Sequence, residues 1–338
     1  MLLAFILLHS FYQTLAAKGG AHWSYDAHSQ ETWPEAYPDC GLKAQSPIDI
    51  QMGSVQYDPS LPPIEPEGYR NPGSDPFALT NNGHTVQMSL AEGMNLHGLP
   101  NIYTAVQLHF HWGSKGSSGG SEHLIDGQAF PGELHVVHFN SEKYANVSEA
   151  MHHPDGLAVL GIFLEVGKME NPAYNNIFNQ VDKIQYAGEE DTVSPFNIRN
   201  LLPEHLGHYF RYNGSLTTPP CYQSVLWTVF HQPVQISAAQ IEKLQKSVYS
   251  SKAGSSTPQS LVDTFRHPQL LNGRVVFSSF PAGPSGYSAG EIVAIVFGVL
   301  MGCAALFLTG WIVAKRTRAR SMQDQKGVVF TSSSRRAV

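Results

Sequence analysis

The chain is poor in charge, in cysteine and, over most of its length, in basic residues. Asp, Glu, Lys and Arg together make up 14% of 338 residues, beside 11% aromatics. That balance excludes a disordered, self-repelling chain and fits one that builds a core. Seven of the 21 Lys/Arg lie from Lys315 onward, against a single acid there, Asp324. This leaves 14 basic and 26 acidic residues upstream, a balance of −12. Such a surface repels phosphate backbones, so no nucleic-acid partner is expected. Internal repeats and low-complexity blocks are also lacking. The length exceeds one small domain, yet a single large β domain reaches 200–250 residues.

Two apolar segments flank the rest. Leu2 to Leu8 is too short to span a bilayer and is followed by Gln13 and the small Ala16 and Ala17, so residues 1–16 are expected to be a secretory signal peptide. Ile292 to Ala314 runs for 23 residues without a charge, more than the ~20 needed to cross ~30 Å of hydrocarbon. Trp311 near its end and the basic cluster from Lys315 place the C-terminus in the cytoplasm. The expectation is a single-pass type I protein of the plasma membrane. Residues 17–280 form an extracellular domain, 281–291 a Pro/Gly/Ser-rich linker, 292–314 the span in the lipid bilayer and 315–338 a cytoplasmic tail. Gly298 and Gly302 form a small-x-x-x-small pair able to pack such helices as a homodimer. Cys303 falls in the span. The exterior Cys40 and Cys221 therefore allow one intrachain disulfide, which an oxidising compartment favours. Asn146-Val147-Ser148 and Asn213-Gly214-Ser215 match the N-glycosylation acceptor.

Period-2 alternation dominates between the ends. Ala105–Trp112, Glu133–Phe139, Leu157–Val166 and Val225–Phe230 are expected as strands, and Ala238–Ser247 and Asn175–Val181 as helices. The fold class expected is mainly β (α+β): one large domain around a twisted, mostly antiparallel central sheet with a few short helices, plus one transmembrane helix.

Gln107, His109 and His111 share one face of their strand, with Leu108, Phe110 and Trp112 on the other. Glu133, His135 and Val137 share a face of a second strand. If the two strands are neighbours, three imidazoles converge into an open tetrahedral zinc site, with Gln107 and Glu133 placed to orient His109 and His135. A cupin oxygenase also uses His-x-His, but with a Glu four or five residues on. Lys115 and Gly116 stand there instead.

From about Trp23 to Phe280 the chain resembles an α-class carbonic anhydrase. The resemblance is carried by Gln45-Ser46-Pro47-Ile48-Asp49-Ile50, Asn81-Asn82-Gly83-His84 and Gln107-Leu108-His109-Phe110-His111-Trp112-Gly113-Ser114. It continues through Ser121-Glu122-His123, Glu133-Leu134-His135-Val136-Val137-His138 and Gly214-Ser215-Leu216-Thr217-Thr218-Pro219-Pro220. The signal, single span and basic tail make the whole chain most similar to the family's membrane-anchored members.

The resemblance implies a zinc lyase acting reversibly on carbon dioxide, water and bicarbonate, and binding sulfonamide-type inhibitors. His109, His111 and His135 then hold Zn²⁺, tuned by Gln107 and Glu133. Zinc lowers the pKa of its water to ~7, an effect for which this family is itself the reference case. It further implies that Thr217 donates to Glu122, that Thr218 touches substrate and that Val137, Val159, Leu216 and Trp227 form the carbon dioxide wall. Tyr25, Asn82 and Gln87 line the polar half of the cavity, and His84 shuttles protons with a pKa near 7. The alternative is a non-catalytic carbonic anhydrase-like binding ectodomain. Such members have replaced at least one ligand histidine, and here all three stand.

Overall fold

The structure is a computed structural model that describes residues 22–117, 119–282 and 289–325. The signal peptide expected at 1–16 lies outside these residues, as do most of the linker and the tail beyond Gln325. Contacts divide the chain after Ala282 into two units.

The first unit is organised by a large sheet. Its central order is Phe77–Asn81, Val86–Ser89, Tyr103–Trp112, Gly132–Asn140, Leu157–Gly167, Val225–Phe230 and Tyr209–Gly214. Pairing is antiparallel through most of this path. It turns parallel where Leu157–Gly167 meets Val225–Phe230 and Val234–Ser237. The expected strands are all present, longer by up to two residues at an end.

Alternation sorts the side chains of the central strands onto two faces. Leu108, Phe110, Trp112, Leu134, Val136, Leu160 and Ile162 point into the larger apolar core. Val137, Val159, Phe163 and Trp227 belong to a second core on the other face. His109, His111 and His135 lie on that second face, so a polar site is built against an apolar wall with a packed core behind it.

Helices are few and short. Ala238–Ser247 matches its expected bounds and starts from a capping box, in which Ser237 Oγ accepts from Gln240 N and Gln240 Oε1 accepts from Ser237 N. The helix expected at Asn175–Val181 begins three residues earlier, as Pro172–Phe178. Asn171 caps it and Pro172 fills the first turn, where a missing N–H costs nothing. Ala27–Ala36 is a further helix, unexpected because Pro34 sits inside it and its apolar pattern is weak. Tertiary contacts hold it: Trp33 is buried and Gln30 Nε2 donates to Phe265 O.

Among the described residues, the second unit contains one helix, Ala289–Gln325. Its segment Val293–Arg318 is long and apolar enough to cross a membrane. The helix does not stop at the last apolar residue but continues through Lys315, Arg316 and Arg318.

Candidate metal centre and active site

Strands Tyr103–Trp112 and Gly132–Asn140 are antiparallel neighbours, with His109 opposite His135 and His111 opposite Glu133. The donor atoms of His109, His111 and His135 all lie within 4.8 Å of one another. One pleat along, Val137 stands opposite Val159 and Val159 opposite Trp227. A row of imidazoles therefore adjoins an apolar row drawn from three strands, to which Leu216 adds a partly buried side chain. The Trp227 ring centroid is 4.8 Å from that of His135.

Each imidazole is held by an acceptor on its far nitrogen. His109 Nδ1 lies 2.9 Å from Gln107 Oε1, His111 Nδ1 2.6 Å from Thr264 O, and His135 Nε2 2.7 Å from Glu133 Oε1. An amide oxygen, a backbone carbonyl and a carboxylate can only accept, so the ring proton sits on each of those nitrogens. The opposite nitrogens, His109 Nε2, His111 Nε2 and His135 Nδ1, are left with lone pairs. Burial pushes the pKa of His109 and of His111 down, with further lowering from neighbouring imidazoles, so these rings are neutral.

The result is a cluster of acceptors without a donor. His111 Nε2 and His135 Nδ1 face each other at 3.1 Å, and Glu122 Oε2 stands 3.4 Å from His111 Nε2. Glu122 Oε2 is buried and, among the described residues, has no hydrogen-bond partner. Buried lone pairs this close repel unless a cation or proton lies among them. Three imidazole nitrogens beside a carboxylate fit a divalent metal with an affinity for nitrogen.

A second group of possible metal donors, His123, Glu133 and His135, is instead a closed hydrogen-bond network. Glu133 Oε1 accepts from both His123 and His135, and its Oε2 accepts from the backbone N–H groups of Glu122 and His123. Burial alone would raise the Glu133 pKa. The imidazoles of His123 and His135 outweigh it and hold the carboxyl well below the usual range. Across the sheet from His135, Gly161 leaves space for this carboxylate, since a Cβ there would come within 3.0 Å of Glu133 Oε1.

Glu122 is fixed from its other oxygen. Oε1 accepts from Arg266 N at 2.8 Å. The Arg266 guanidinium in turn donates to Gln45 Oε1, Ser46 O and Cys40 O and lies over the Trp33 ring. Burial pushes its pKa down to about 10, against the pull of Glu122.

Thr217 is buried and Thr218 partly buried, in a loop whose backbone is tied down. Cys221 N donates to Thr218 O and Leu216 N to Tyr222 O. Cys40 and Cys221 are disulfide-bonded, and Gln45 Nε2 reaches Cys221 O. The expected bond from Thr217 to Glu122 is not formed in this arrangement: among the described residues Glu122 Oε1 accepts from Arg266 N and Oε2 has no partner.

His84 also departs from expectation. Its backbone N–H is held by Asn82 Oδ1, and its ring stacks on Trp23 with centroids 3.8 Å apart. Burial, with a smaller contribution from His22, pushes its pKa down to about 4 rather than leaving it near 7. Gln87 stands opposite His109. The Tyr25 hydroxyl is pushed well above its usual pKa by burial and then by the charge of Glu122, which places it within electrostatic reach of the site. Both sequon asparagines, Asn146 and Asn213, are exposed.

Two parts of the site carry no signal in the motifs that mark it. Thr264 contributes only a backbone carbonyl, from 153 residues away. Arg266 acts on Glu122 through its backbone N–H. His123, in the Ser121-Glu122-His123 motif and read from sequence as a second-layer or core group, bridges Glu133 to Tyr212 Oη, and Tyr212 continues the chain to Ser46.

Comparison with known proteins agrees with this geometry. A model of the eukaryotic-type carbonic anhydrase family matches residues 28–280. Human carbonic anhydrase 12 is 40% identical over 321 residues, covering 93% of this chain and 90% of that protein. Carbonic anhydrase 6 of Canis lupus familiaris is 43% identical over 274 residues, 80% of this chain and 83% of the relative. Mouse carbonic anhydrase 7 is 40% identical over 269 residues, 77% and 98% of the two chains. With the sheet, the histidine cluster and relatives of this identity and coverage in agreement, the chain belongs to the eukaryotic-type carbonic anhydrase family and is a carbonic anhydrase.

Proposed function

We propose that this carbonic anhydrase is a zinc enzyme that hydrates carbon dioxide reversibly at the extracellular face of the plasma membrane. The observation that carries the reading is the buried acceptor cluster: three imidazoles, each with its proton committed elsewhere, turned toward one another beside an unpartnered carboxylate oxygen. His109, His111 and His135 would hold the ion. Bound there, zinc supplies a Lewis acid that makes water a strong nucleophile at neutral pH.

The chain's own residues do the rest. Gln107, Thr264 O and Glu133 keep the ligand tautomers and ring orientations. Glu122 Oε2, fixed by Arg266 N but otherwise unpaired, is the acceptor for the Thr217 hydroxyl once that side chain turns to it. With its hydrogen committed, Thr217 Oγ1 can only accept, and so orients the attacking water by accepting a hydrogen bond from it. Thr218 contacts substrate or bicarbonate. Val137, Val159, Leu216 and Trp227 give carbon dioxide, which has no charge to grip, a dry surface next to the nucleophile. His84 accepts the released proton on a ring nitrogen and passes it to buffer. Stacked on Trp23 it is a poor base, so the relay requires the ring to leave that position.

The topology belongs to the same reading. Residues 1–16 are a cleaved signal, 17–280 the outer domain, 281–291 a linker, 292–314 the span and 315–338 the inner tail. The likeness to human carbonic anhydrase 12 supports this arrangement, since it covers more of the chain than residues 28–280. Asn146 and Asn213 would carry glycans, sulfonamide-type inhibitors would bind at the zinc position, and Gly298 and Gly302 would pair two spans as a homodimer. The test is carbon dioxide hydration by residues 17–280 before and after chelation. Loss on chelation and return with added zinc is expected. Undiminished hydration by metal-free protein would refute the zinc reading.

A further inference from the structure

The helix Ala289–Gln325 carries a basic segment that has no part in catalysis and whose contacts the orientation of a span does not specify. Lys315, Arg316 and Arg318 are exposed, and Arg320 follows in the same helix. None of Lys315, Arg316 and Arg318 has an acid three or four positions away in either direction. Only Arg320 does, in Asp324. Helix pairing therefore leaves three of the four charges uncompensated. At about 100° per residue the four positions spread over more than half the helix circumference, and at ~1.5 Å per residue they occupy about 7.5 Å of its length. A groove on one partner protein contacts a narrower face than this. The height instead matches one headgroup layer, about 5–8 Å thick on each side of the hydrocarbon. At the top of the segment, Lys315 Nζ lies over the Trp311 ring, 5.0 Å from its centroid, and so stands beside an interfacial aromatic.

We propose that Lys315, Arg316, Arg318 and Arg320 form a collar that binds anionic phospholipid headgroups, gathering them around the helix where it leaves the bilayer. The inference rests on the membrane-spanning reading above. The test is built so that the two fail separately. Of the five tryptophans, Trp311 alone lies in the second unit, so it alone reports on lipid. The full chain is placed in phosphatidylcholine nanodiscs containing phosphatidylserine, with brominated acyl chains on one lipid or the other at equal bromine content. Trp311 emission should be quenched roughly twofold more strongly by brominated phosphatidylserine, and the difference should shrink at high salt. Trp311→Phe should abolish the quenching and so verify the reporter. Lys315→Gln, Arg316→Gln, Arg318→Gln and Arg320→Gln combined should bring the two lipids to parity. If that variant is poorly made, the salt dependence of the unmodified chain decides. Equal quenching by both lipids at low salt would overturn the proposal and point to a protein partner for the collar. Quenching by neither lipid would overturn the span itself, and the proposal with it.

Discussion

The floor and the rim of the site are built differently. On the floor, every imidazole has its far nitrogen bonded to an acceptor, and the strands carrying them are fixed by the register that sets His109 opposite His135. On the rim, among the described residues, Glu122 Oε2 lacks a partner, Thr217 included, and His84 is parked on Trp23. The floor is pre-organised by the sheet, as a metal site must be to hold three ligands at fixed positions. The rim holds groups that touch substrate or move protons, and these take up their working contacts only when reactants are present. Metal affinity should therefore respond to floor changes and turnover to rim changes, with little crossing between them.

Four substitutions test that division. The largest effect expected is on stability, from Cys40→Ser. The bridge spans 181 residues in sequence, for which chain entropy sets an upper limit of about 5 kcal/mol. Because Cys221 N holds Thr218 O, the change should loosen the rim loop and lower melting temperature and secretion while zinc affinity persists. Free thiols at both Cys40 and Cys221 of residues 17–280, seen by mass spectrometry without reduction, would remove the premise. Next, Glu133→Ala releases His135 and should weaken zinc binding by ~10–100-fold in chelator competition. Unchanged affinity would mean that the floor is not held by its carboxylate.

His84→Ala should leave zinc affinity and the exchange of carbon dioxide with bicarbonate intact. An acid of pKa ~7 gives its proton to water at only ~10³ s⁻¹, so steady-state turnover in dilute buffer should fall toward that limit and recover with added imidazole. Unchanged turnover would leave His84 without a relay role. The smallest effect is Trp23→Ala. Removing the stacked ring exposes His84, so its pKa should rise from about 4 toward 6.5 in an NMR titration. A depressed histidine pKa favours the neutral form in the fold. Its contribution to stability is complete above pH 6.5 and is lost as pH falls toward 4. Trp23→Ala should therefore weaken the acid sensitivity in that window, and a pKa that stays near 4 would assign the shift to other neighbours.

The floor was largely legible because a strand's period of two is a strong rule. Once His109, His111 and His135 are placed on strands, their faces follow, and antiparallel pairing brings them together. What stayed hidden arrives through the backbone or through packing. Thr264 and Arg266 hold His111 and Glu122 with groups that every non-proline residue carries. Gly161 matters for the volume it leaves to Glu133. The helix Ala27–Ala36 forms against its local pattern because Trp33 packs beneath Arg266. By contrast, the start of Pro172–Phe178 was available in Asn171-Pro172, a cap followed by proline. That the helix segment Val293–Arg318 is long and apolar enough to cross a membrane needed only composition, since length and lack of charge decide it. The pKa of His84 could not be foreseen, because it depends on which ring lies against it.

The most direct measurement is zinc content beside carbon dioxide hydration, made on the wild type and on His109→Ala, His111→Ala and His135→Ala in parallel. The account predicts one zinc per wild-type chain, and loss of both the metal and the activity in each variant that remains folded by circular dichroism. Any one of these variants that keeps stoichiometric zinc and full hydration would contradict the three-histidine site.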